Sequence, residues 1–224
     1  MRPIQAVTIR SAQRSDLDAI TTIALMAYRS GEQWPYRFPY AWKYLDDHWR
    51  YSNLRLANFM DNVESGAFVV KVAEMPIDED RSTMKVVAYS VWQMPGDFAG
   101  KSLPKDNFER RDANPARMKA FRDSTTRAKK ELFNSRFGDR QLNLVMLATL
   151  PEYQRRGAGT MLLQWGIDKA DAEGLAITLF AGPSAQHLYS RSGFEVVGNV
   201  HTQVEGEEAA IDLPAMAYMP KVLT

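Results

Sequence analysis

Cysteine is absent from the 224-residue chain, which excludes disulfides, a cysteine nucleophile and thiolate metal sites. The three histidines, His48, His187 and His201, lie too far apart to match a metal-ligand spacing. Excess charge is also lacking, because 28 basic residues balance 27 acidic ones, so neither nucleic acid nor an anionic membrane is favoured as a partner. No long apolar run indicates a transmembrane helix or a signal peptide. These absences predict a soluble, cytoplasmic protein without a metal site.

The most informative segment lies between an apolar run at 142–150 and a helical pattern that starts near residue 158. It reads Gln154-Arg155-Arg156-Gly157-Ala158-Gly159. Backbone N–H groups at such a turn have no partner within the helix, and the helix dipole adds partial positive charge. Glycine lets the backbone approach an anion closely. A helix start with incidental glycines is the plainer interpretation, but the pattern favours a phosphate-binding turn; the Walker and Rossmann motifs are both absent here.

The same hexapeptide resembles the Gln/Arg-x-x-Gly-x-Gly/Ala signature of the GCN5-related N-acetyltransferases (GNAT), in which it holds the pyrophosphate of acetyl-CoA. Residues 185–198, AQHLYSRSGFEVVG, resemble the closing helix, Gly-Phe turn and following strand of that superfamily. Residues 1–135 resemble it only in the order of their elements. The resemblance implies one α/β domain over 1–224, with a mixed, twisted central sheet of about six or seven strands flanked by helices.

Hydrophobic periodicity predicts an element order that agrees with this fold. Strands are predicted at 7–10, 66–73, 85–94, 142–150, 176–180, 194–200 and 215–222, and helices at 17–28, 41–62, 115–137, 158–173 and 184–192. The stretch 95–139 is longer than the family core requires before its fourth strand. Because it has too few apolar residues for a core of its own, we predict an inserted helical arm there rather than a domain. The segment 31–42 is predicted to be a loop.

The resemblance also implies how acetyl-CoA would be held as the co-substrate. The backbone N–H groups from Arg155 to Gly159 would bind the phosphates, the two arginines would add positive charge, and Gln154 would shape the turn. In the family the fourth and fifth strands splay apart and the pantetheine arm lies between them. The backbone of Leu147, Ala148 and Thr149 would therefore bond the pantetheine amides and the thioester carbonyl.

The asparagine that many relatives place after the fifth strand is missing from this chain, which has Ala181-Gly182-Pro183-Ser184 at that point. Ser184 or Gln186 would take its place in contacting the coenzyme. His187 follows directly and is predicted to be a surface residue rather than a base.

Tyr189 matches the family tyrosine that protonates the departing CoA thiolate. Its spacing to Gly193 and Phe194 also predicts packing of the two aromatic rings in a Schellman motif, and the two roles are compatible. A carboxylate is the usual general base for an ammonium acceptor. Glu152, after the fourth strand, and Glu32, in the aromatic loop, are the candidates, although either is equally explained as a solvated side chain.

The acceptor pocket has a candidate wall in five alternating aromatic residues, Trp34, Tyr36, Phe38, Tyr40 and Trp42. Packing between the first two helices is the alternative explanation for them. We predict direct transfer of an acetyl group from acetyl-CoA to a primary amine of a small molecule, without an acyl-enzyme. The alternatives are a catalytically silent CoA-binding or regulatory module, an acyltransferase with another acyl donor or an oxygen acceptor, and an interaction protein that docks through 95–139. The oligomeric state stays open.

Overall fold

Seven strands form one sheet in a computed structural model that describes residues 7–78, 82–96 and 108–221. In chain order they are β1 (Thr8–Ser11), β2 (Phe68–Pro76), β3 (Met84–Gln93), β4 (Gln141–Thr149), β5 (Ala176–Phe180), β6 (Glu195–Gln203) and β7 (Ala210–Tyr218). The order across the sheet is β1-β2-β3-β4-β5-β7-β6, and β4 with β5 is the parallel pair within it. The predicted mixed sheet is confirmed. The last strand lies earlier than the predicted 215–222, of which residue 222 lies outside the described residues.

Helices cover both faces of this sheet. They are α1 (Leu17–Tyr28), α2 (Gln33–Arg37), α3 (Leu45–Asp61), α4 (Pro115–Ala128), α5 (Ser135–Phe137), α6 (Ala158–Glu173) and α7 (Pro183–Arg191). The buried stripe Ile20, Ile23 and Ala24 of α1 packs with α3 against β2, β3 and β4, whereas α6 packs on β2 to β5. None of the described helices has both the length and the apolar character needed to cross a bilayer.

Gly166 allows α6 to lie unusually close to the sheet. A Cβ at this position would stand 2.1 Å from Cη2 of the fully buried Trp92. The same close packing brings the start of α6 to the end of β4, where a Cβ on Gly159 would lie 3.5 Å from Thr149 Oγ1. The turn before α6 and the last residues of β4 therefore form one continuous surface.

The predicted helical arm is described from residue 108 onward, together with residues 95 and 96. Asn114 caps α4 by accepting the Arg117 N–H at 3.1 Å, and Pro115 is its first residue. A π-helical turn, Lys129–Asn134, joins α4 to α5. Fully buried Phe133 contacts Phe180, with ring centroids 5.1 Å apart, so this helical segment packs on the main sheet and has no separate core.

The segment 31–44 differs from the predicted loop and helix start. It contains the short helix α2, and α3 begins at Leu45 rather than near residue 41. Successive turns, closed by the Ala41 N–H to Phe38 oxygen bond (3.1 Å) and the Lys43 N–H to Tyr40 oxygen bond (3.0 Å), occupy the residues between. Trp34 and Phe38 of this segment therefore pack in a folded cover over α3 rather than in an open loop.

Candidate active site

β4 and β5 separate soon after they begin. They pair only from Gln141 with Ala176 to Asn143 with Thr178. Beyond that point β4 continues to Thr149 alongside β3, while β5 continues to Phe180 alongside β7. The separation leaves a wedge between 144–149 of β4 and 179–180 of β5, which we call the opening. Within the opening, the backbone N–H and C=O groups on the β5 side of β4 have no strand partner.

The register of β4 determines which backbone groups face the opening. The Leu150 N–H donates to the Val87 oxygen of β3 at 2.9 Å, so by the alternation of an antiparallel ladder the Ala148 groups also face β3. Those of Leu147 and Thr149 face the opening. Of the three residues predicted to contact pantetheine, Leu147 and Thr149 thus direct their backbone groups into the opening, whereas those of Ala148 pair within the sheet.

Two side chains already bind the carbonyl groups that face the opening. The Tyr28 hydroxyl donates to the Leu147 oxygen at 3.2 Å, and the Gln154 side-chain amide donates to the Thr149 oxygen at 3.3 Å. Gln154 therefore ties the turn to β4, in keeping with its predicted shaping role. The N–H groups of Leu147 and Thr149 remain as the donors that β4 presents.

The turn before α6 combines two left-handed residues with an uncapped helix start. Arg155 has φ 59° and Gly157 has φ 95°. Gly157 is the N-cap residue and no side chain caps the helix; its oxygen accepts the Met161 N–H at 3.0 Å. The N–H groups of Ala158 and Gly159 have no intrahelical partner by geometry. Left-handed residues that alternate in this way turn successive N–H groups into one concavity, which suits an anion.

The two arginines of the turn differ in their contacts. Arg156 donates to the Glu152 oxygen at 2.8 Å and stacks on Tyr153, with its guanidinium carbon 5.1 Å from the ring centre. Arg155 has no ion pair or hydrogen bond to any described side chain, and it is exposed. Open space surrounds the position of a Cβ on Gly157, with no atom within 4 Å. The residues of this turn therefore fit a diphosphate without rearrangement of a neighbouring side chain.

Tyr189 lies at the C-terminal end of α7 in the predicted Schellman motif. Gly193 has φ 88°, the Phe194 N–H donates to the Tyr189 oxygen at 3.1 Å, and the Gly193 N–H donates to the Ser190 oxygen at 3.2 Å. The Tyr189 and Phe194 rings pack 5.6 Å apart. Burial, with a smaller contribution from Tyr28, raises the pKa of Tyr189 well above that of a free tyrosine, so its hydroxyl is protonated at neutral pH.

The two carboxylates proposed from the sequence as general bases lie outside the opening. Glu152 is exposed in the turn Pro151–Tyr153, and its carboxylate faces Lys85 of β3 at 4.0 Å, on the side of β4 away from β5. Glu32 is exposed as the N-cap residue of α2. Ser184, predicted to contact the coenzyme, is exposed in the first turn of α7. The fold does not bring these three side chains together.

Buried carboxylates elsewhere in the described residues are already paired with cations. The pairs are Asp16 with Arg10 (2.7 Å), Asp47 with Arg111 (2.8 Å), and Asp112 with Arg110 (2.8 Å) and His48 (2.8 Å). The hydrogen bonds in these pairs hold the pKa of each carboxyl below its ordinary value, and at Asp112 they do so against burial, which raises it. The described ranges also contain no group of three or more His, Asp or Glu side chains arranged for a metal ion.

Tyr28 is a residue of the opening that sequence reasoning missed. Its ring stacks on Trp34 with centroids 5.0 Å apart, while its hydroxyl reaches the Leu147 oxygen. Burial raises the pKa of Tyr28 to about 12, and the positive charges of Arg55 and Arg37 oppose this rise. Its position as the last residue of the first helix carried no motif, although the aromatic segment that follows was a signal that this helix end faces a pocket.

The aromatic residues of 34–42 do not form one alternating wall. Trp34, Tyr36 and Phe38 are buried, whereas Tyr40 and Trp42 are 49% and 74% exposed. α2 also approaches the turn after β5, because Gln33 Nε2 lies 3.8 Å from where a Cβ on Gly182 would be. Trp34 and α2 thus close the opening on the side opposite the α6 turn, and the two exposed aromatics lie outside it.

Comparison with known proteins agrees with this geometry. Residues 127–196 match the family model described as the acetyltransferase (GNAT) domain, a range that includes β4, the turn and α7. The chain is also 26% identical over 208 residues to an acetyltransferase from Stachybotrys chartarum, which covers 89% of this chain and 85% of that protein.

Two solved structures show the same fold. One is a histone acetyltransferase HPA2 and related acetyltransferase from Corynebacterium glutamicum, 18% identical, covering 98% of this chain and 99% of that one, with a TM-score of 0.58. The other is a GNAT superfamily phosphinothricin acetyltransferase from Sinorhizobium meliloti in complex with AcCoA. It is 18% identical, covers 97% of this chain and 90% of that one, and has a TM-score of 0.57. The predicted resemblance is confirmed: part of the chain matches the model of the GNAT acetyltransferase domain, and the structural neighbours share its fold.

Proposed function

We propose that this acetyltransferase moves an acetyl group from acetyl-CoA directly to a primary amine of a small molecule. The observation that carries the proposal is the continuity between the N–H groups of Leu147 and Thr149 and the uncapped turn before α6. One surface then offers donors for an extended amide chain and for a diphosphate. The acyl donor in the Sinorhizobium meliloti complex is AcCoA, which supports the same donor here.

Different groups of the protein would hold different parts of acetyl-CoA. The N–H groups from Arg155 to Gly159 would hold the diphosphate, and the Arg155 side chain would add a cation that no described carboxylate neutralises. Leu147 and Thr149 would pair with the pantetheine arm as an added strand does. An N–H of β4 directed at the thioester oxygen would stabilise the negative charge that develops there. Ser184 would contact the coenzyme from the start of α7.

The transfer step requires an acid and a free amine. The amine nitrogen bonds to the acetyl carbon, the carbon–sulfur bond breaks, and the amine proton leaves to solvent. Tyr189, kept protonated by burial, would supply a proton to the sulfur. Because Glu152 faces Lys85, we assign it no direct contact with the amine; a role as base would have to pass through water. Proximity and the oxyanion donor would then supply most of the rate.

A thiol-release assay with acetyl-CoA across amine classes tests the proposal, and the absence of cysteine means that the protein contributes no thiol signal. On the best acceptor, Tyr189→Phe should lower kcat by about 100-fold. The phenyl ring keeps the contact with Phe194, so CoA affinity and Tm should stay unchanged. Exposed Tyr40→Phe is the matched control and should change none of these.

Three results would count against parts of this proposal. An unchanged kcat in Tyr189→Phe removes the acid assignment. Calorimetry that detects no CoA binding would contradict the proposed transfer from acetyl-CoA. Tight CoA binding without transfer to any amine favours the silent module, an outcome made plausible by the lack of a free carboxylate at the opening among the described residues.

A further inference from the structure

Arg37 is a buried cation without an anionic partner. Its side chain is 6% exposed, and no described carboxylate pairs with it. Its Nε donates to the Gln33 oxygen at 3.0 Å, which uses one of the five N–H groups of the guanidinium. Burial lowers the pKa of Arg37 to about 9, so the side chain still carries its charge at neutral pH. Burying such a charge is costly unless something compensates it.

Aromatic rings supply part of that compensation. The guanidinium carbon of Arg37 lies 4.2 Å from the ring centre of Phe121, 5.1 Å from Phe38 and 5.9 Å from Trp34. Cation–π contacts of this kind explain why the cation is tolerated between α2 and α4. They do not use the four N–H groups on the two terminal nitrogens, which is the fork that arginine offers to a carboxylate or a phosphorus oxyanion.

Arg55 of α3 is a second, half-buried cation without an anionic partner among the described residues. Its Nε is buried without a hydrogen-bond partner, and its guanidinium carbon lies 5.7 Å from the ring centre of Phe59. No described carboxylate forms an ion pair with it. Its charge also acts on Arg37, since it is the largest cause after burial of the lowered Arg37 pKa. Two neighbouring like charges, with no anion between them among the described residues, indicate a place for one.

Tyr28 connects this cation pair to the opening. Its hydroxyl lies 3.2 Å from the Leu147 oxygen, its ring stacks on Trp34, and Trp34 in turn contacts the Arg37 guanidinium. Both arginines act electrostatically on Tyr28, and Tyr28 acts on Tyr189. The pair therefore lies next to Tyr28 and Trp34, on the side of the opening opposite the α6 turn.

We propose that the acceptor is an amine that also carries an anionic group, a carboxylate or a phosphorus oxyanion, which Arg37 and Arg55 bind. This inference rests on the proposed function and specifies its substrate class. The arginines would anchor the anion and so direct the amine at the other end of the molecule toward Leu147 and the thioester. A simple cationic diamine would be disfavoured, because its second charge would face the arginine pair.

Matched acceptors test the proposal on the wild-type protein. Glycine, beta-alanine and gamma-aminobutyrate are each compared with their amides, which keep the amine and remove the negative charge. The aminophosphonate analogues separate a phosphorus oxyanion from a carboxylate. We expect kcat/KM for the best anionic acceptor to exceed that for its amide by about 10- to 100-fold, with the difference mainly in KM.

Arg37→Met and Arg55→Met remove the charge and keep most of the side-chain volume. Each should reduce the preference for the anionic acceptor by about 10-fold or more and leave KM for acetyl-CoA unchanged. Arg50→Met, which removes an exposed cation of the same helix α3, should leave the preference intact. If Arg37→Met fails to fold, Arg37→Lys keeps the cation without the fork and should still weaken the anionic acceptor.

A second readout needs no turnover. The best anionic acceptor should raise the Tm of the wild type, and this rise should be lost in Arg55→Met but kept in Arg50→Met. Equal rates for anionic and neutral acceptors, or a Tm rise that Arg37 and Arg55 variants keep, would overturn this inference while transfer itself still supported the enzyme. Failure to bind CoA would instead overturn the proposed function, and the Tm series would still decide whether the arginines bind an anion.

Discussion

On one side of the opening the turn before α6 presents backbone N–H groups, whereas on the other side α1 presents the Tyr28 hydroxyl, with Arg37 of α2 and Arg55 of α3 behind it. The first surface comes from one contiguous stretch, 147–159. The second, which we call the acceptor wall, comes from three separate helices. A backbone N–H donor tolerates almost any side chain on its own residue. Only a few backbone conformations direct that N–H at a ligand. The acceptor wall would have the opposite sensitivity, because the specificity proposed for it depends on the side chains themselves.

The largest effect is expected where the backbone surface is most constrained. Gly157→Val places a β-branched residue at φ 95°, where L-residues are disfavoured by about 1–2 kcal/mol, and puts side-chain atoms in the open space that a diphosphate would occupy. CoA affinity should fall by about 100-fold through the loss of charge-assisted backbone bonds. Calorimetric titration with CoA measures the change.

Gly206→Val is the control that separates the two causes. Gly206 has φ 81°, also has no atom within 4 Å of a Cβ position, and lies in the turn between β6 and β7. The backbone strain is similar in both variants, so both should lose a similar amount of Tm. Only Gly157→Val should lose CoA affinity. Equal CoA binding by the two variants would show that the turn is no phosphate site.

A smaller effect is expected at the junction of the two surfaces. Tyr28→Phe keeps the ring on Trp34 and removes the hydroxyl that binds the Leu147 oxygen, so β4 loses a positioning contact in the opening. We expect kcat to fall by about 10-fold, with CoA affinity nearly unchanged, because the phosphate turn is untouched. Steady-state kinetics on the best acceptor decide this; a fall in CoA affinity as large as that of Gly157→Val would contradict the division into two surfaces.

The same division explains how far the sequence could predict the site. Gly157 and the pair Tyr189 and Phe194 were predictable because turns, caps and Schellman motifs depend on residues close together in the chain. The outward direction of Leu147 and Thr149, with Ala148 facing β3, depends on the register with β3, which the sequence does not encode locally. Arg37 and Arg55 become neighbours only after α2 folds over α3, so no spacing in the sequence indicated that they would act on each other.

The same distinction between local and tertiary determinants holds for the predicted elements of the fold. The helices 17–28 and 158–173 and the strand 176–180 were predicted at their observed bounds, because periodicity and end signals such as Gly174 act locally. The start of α3 and the helix α2 were not, since two prolines and five aromatic residues in 31–42 suggest a loop unless their burial is known. Tertiary packing of Trp34 and Phe38 decided the conformation there.

The smallest effect expected is a pH dependence of stability at the acceptor wall. Burial raises the pKa of Tyr28 from 10.0 to about 12, so above pH 10 the unfolded chain releases this proton before the native protein does. The native state then binds more protons, and stability falls as pH rises from the unfolded toward the folded pKa. Tyr28→Phe lacks this group and should lose less stability, by about 1 kcal/mol at pH 11.

Urea unfolding at neutral pH and at pH 11 measures this as a difference between variants, which includes the effect of Tyr28 on the neighbouring Tyr89, Tyr189 and Arg37. Exposed Tyr40→Phe should follow the wild type at both pH values. A Tyr28→Phe curve parallel to that of the wild type would mean that the Tyr28 hydroxyl reaches water in the native state. More water would then reach the space behind Trp34 than the half-buried position of Tyr28 implies, and the argument that Arg37 needs an anion would weaken.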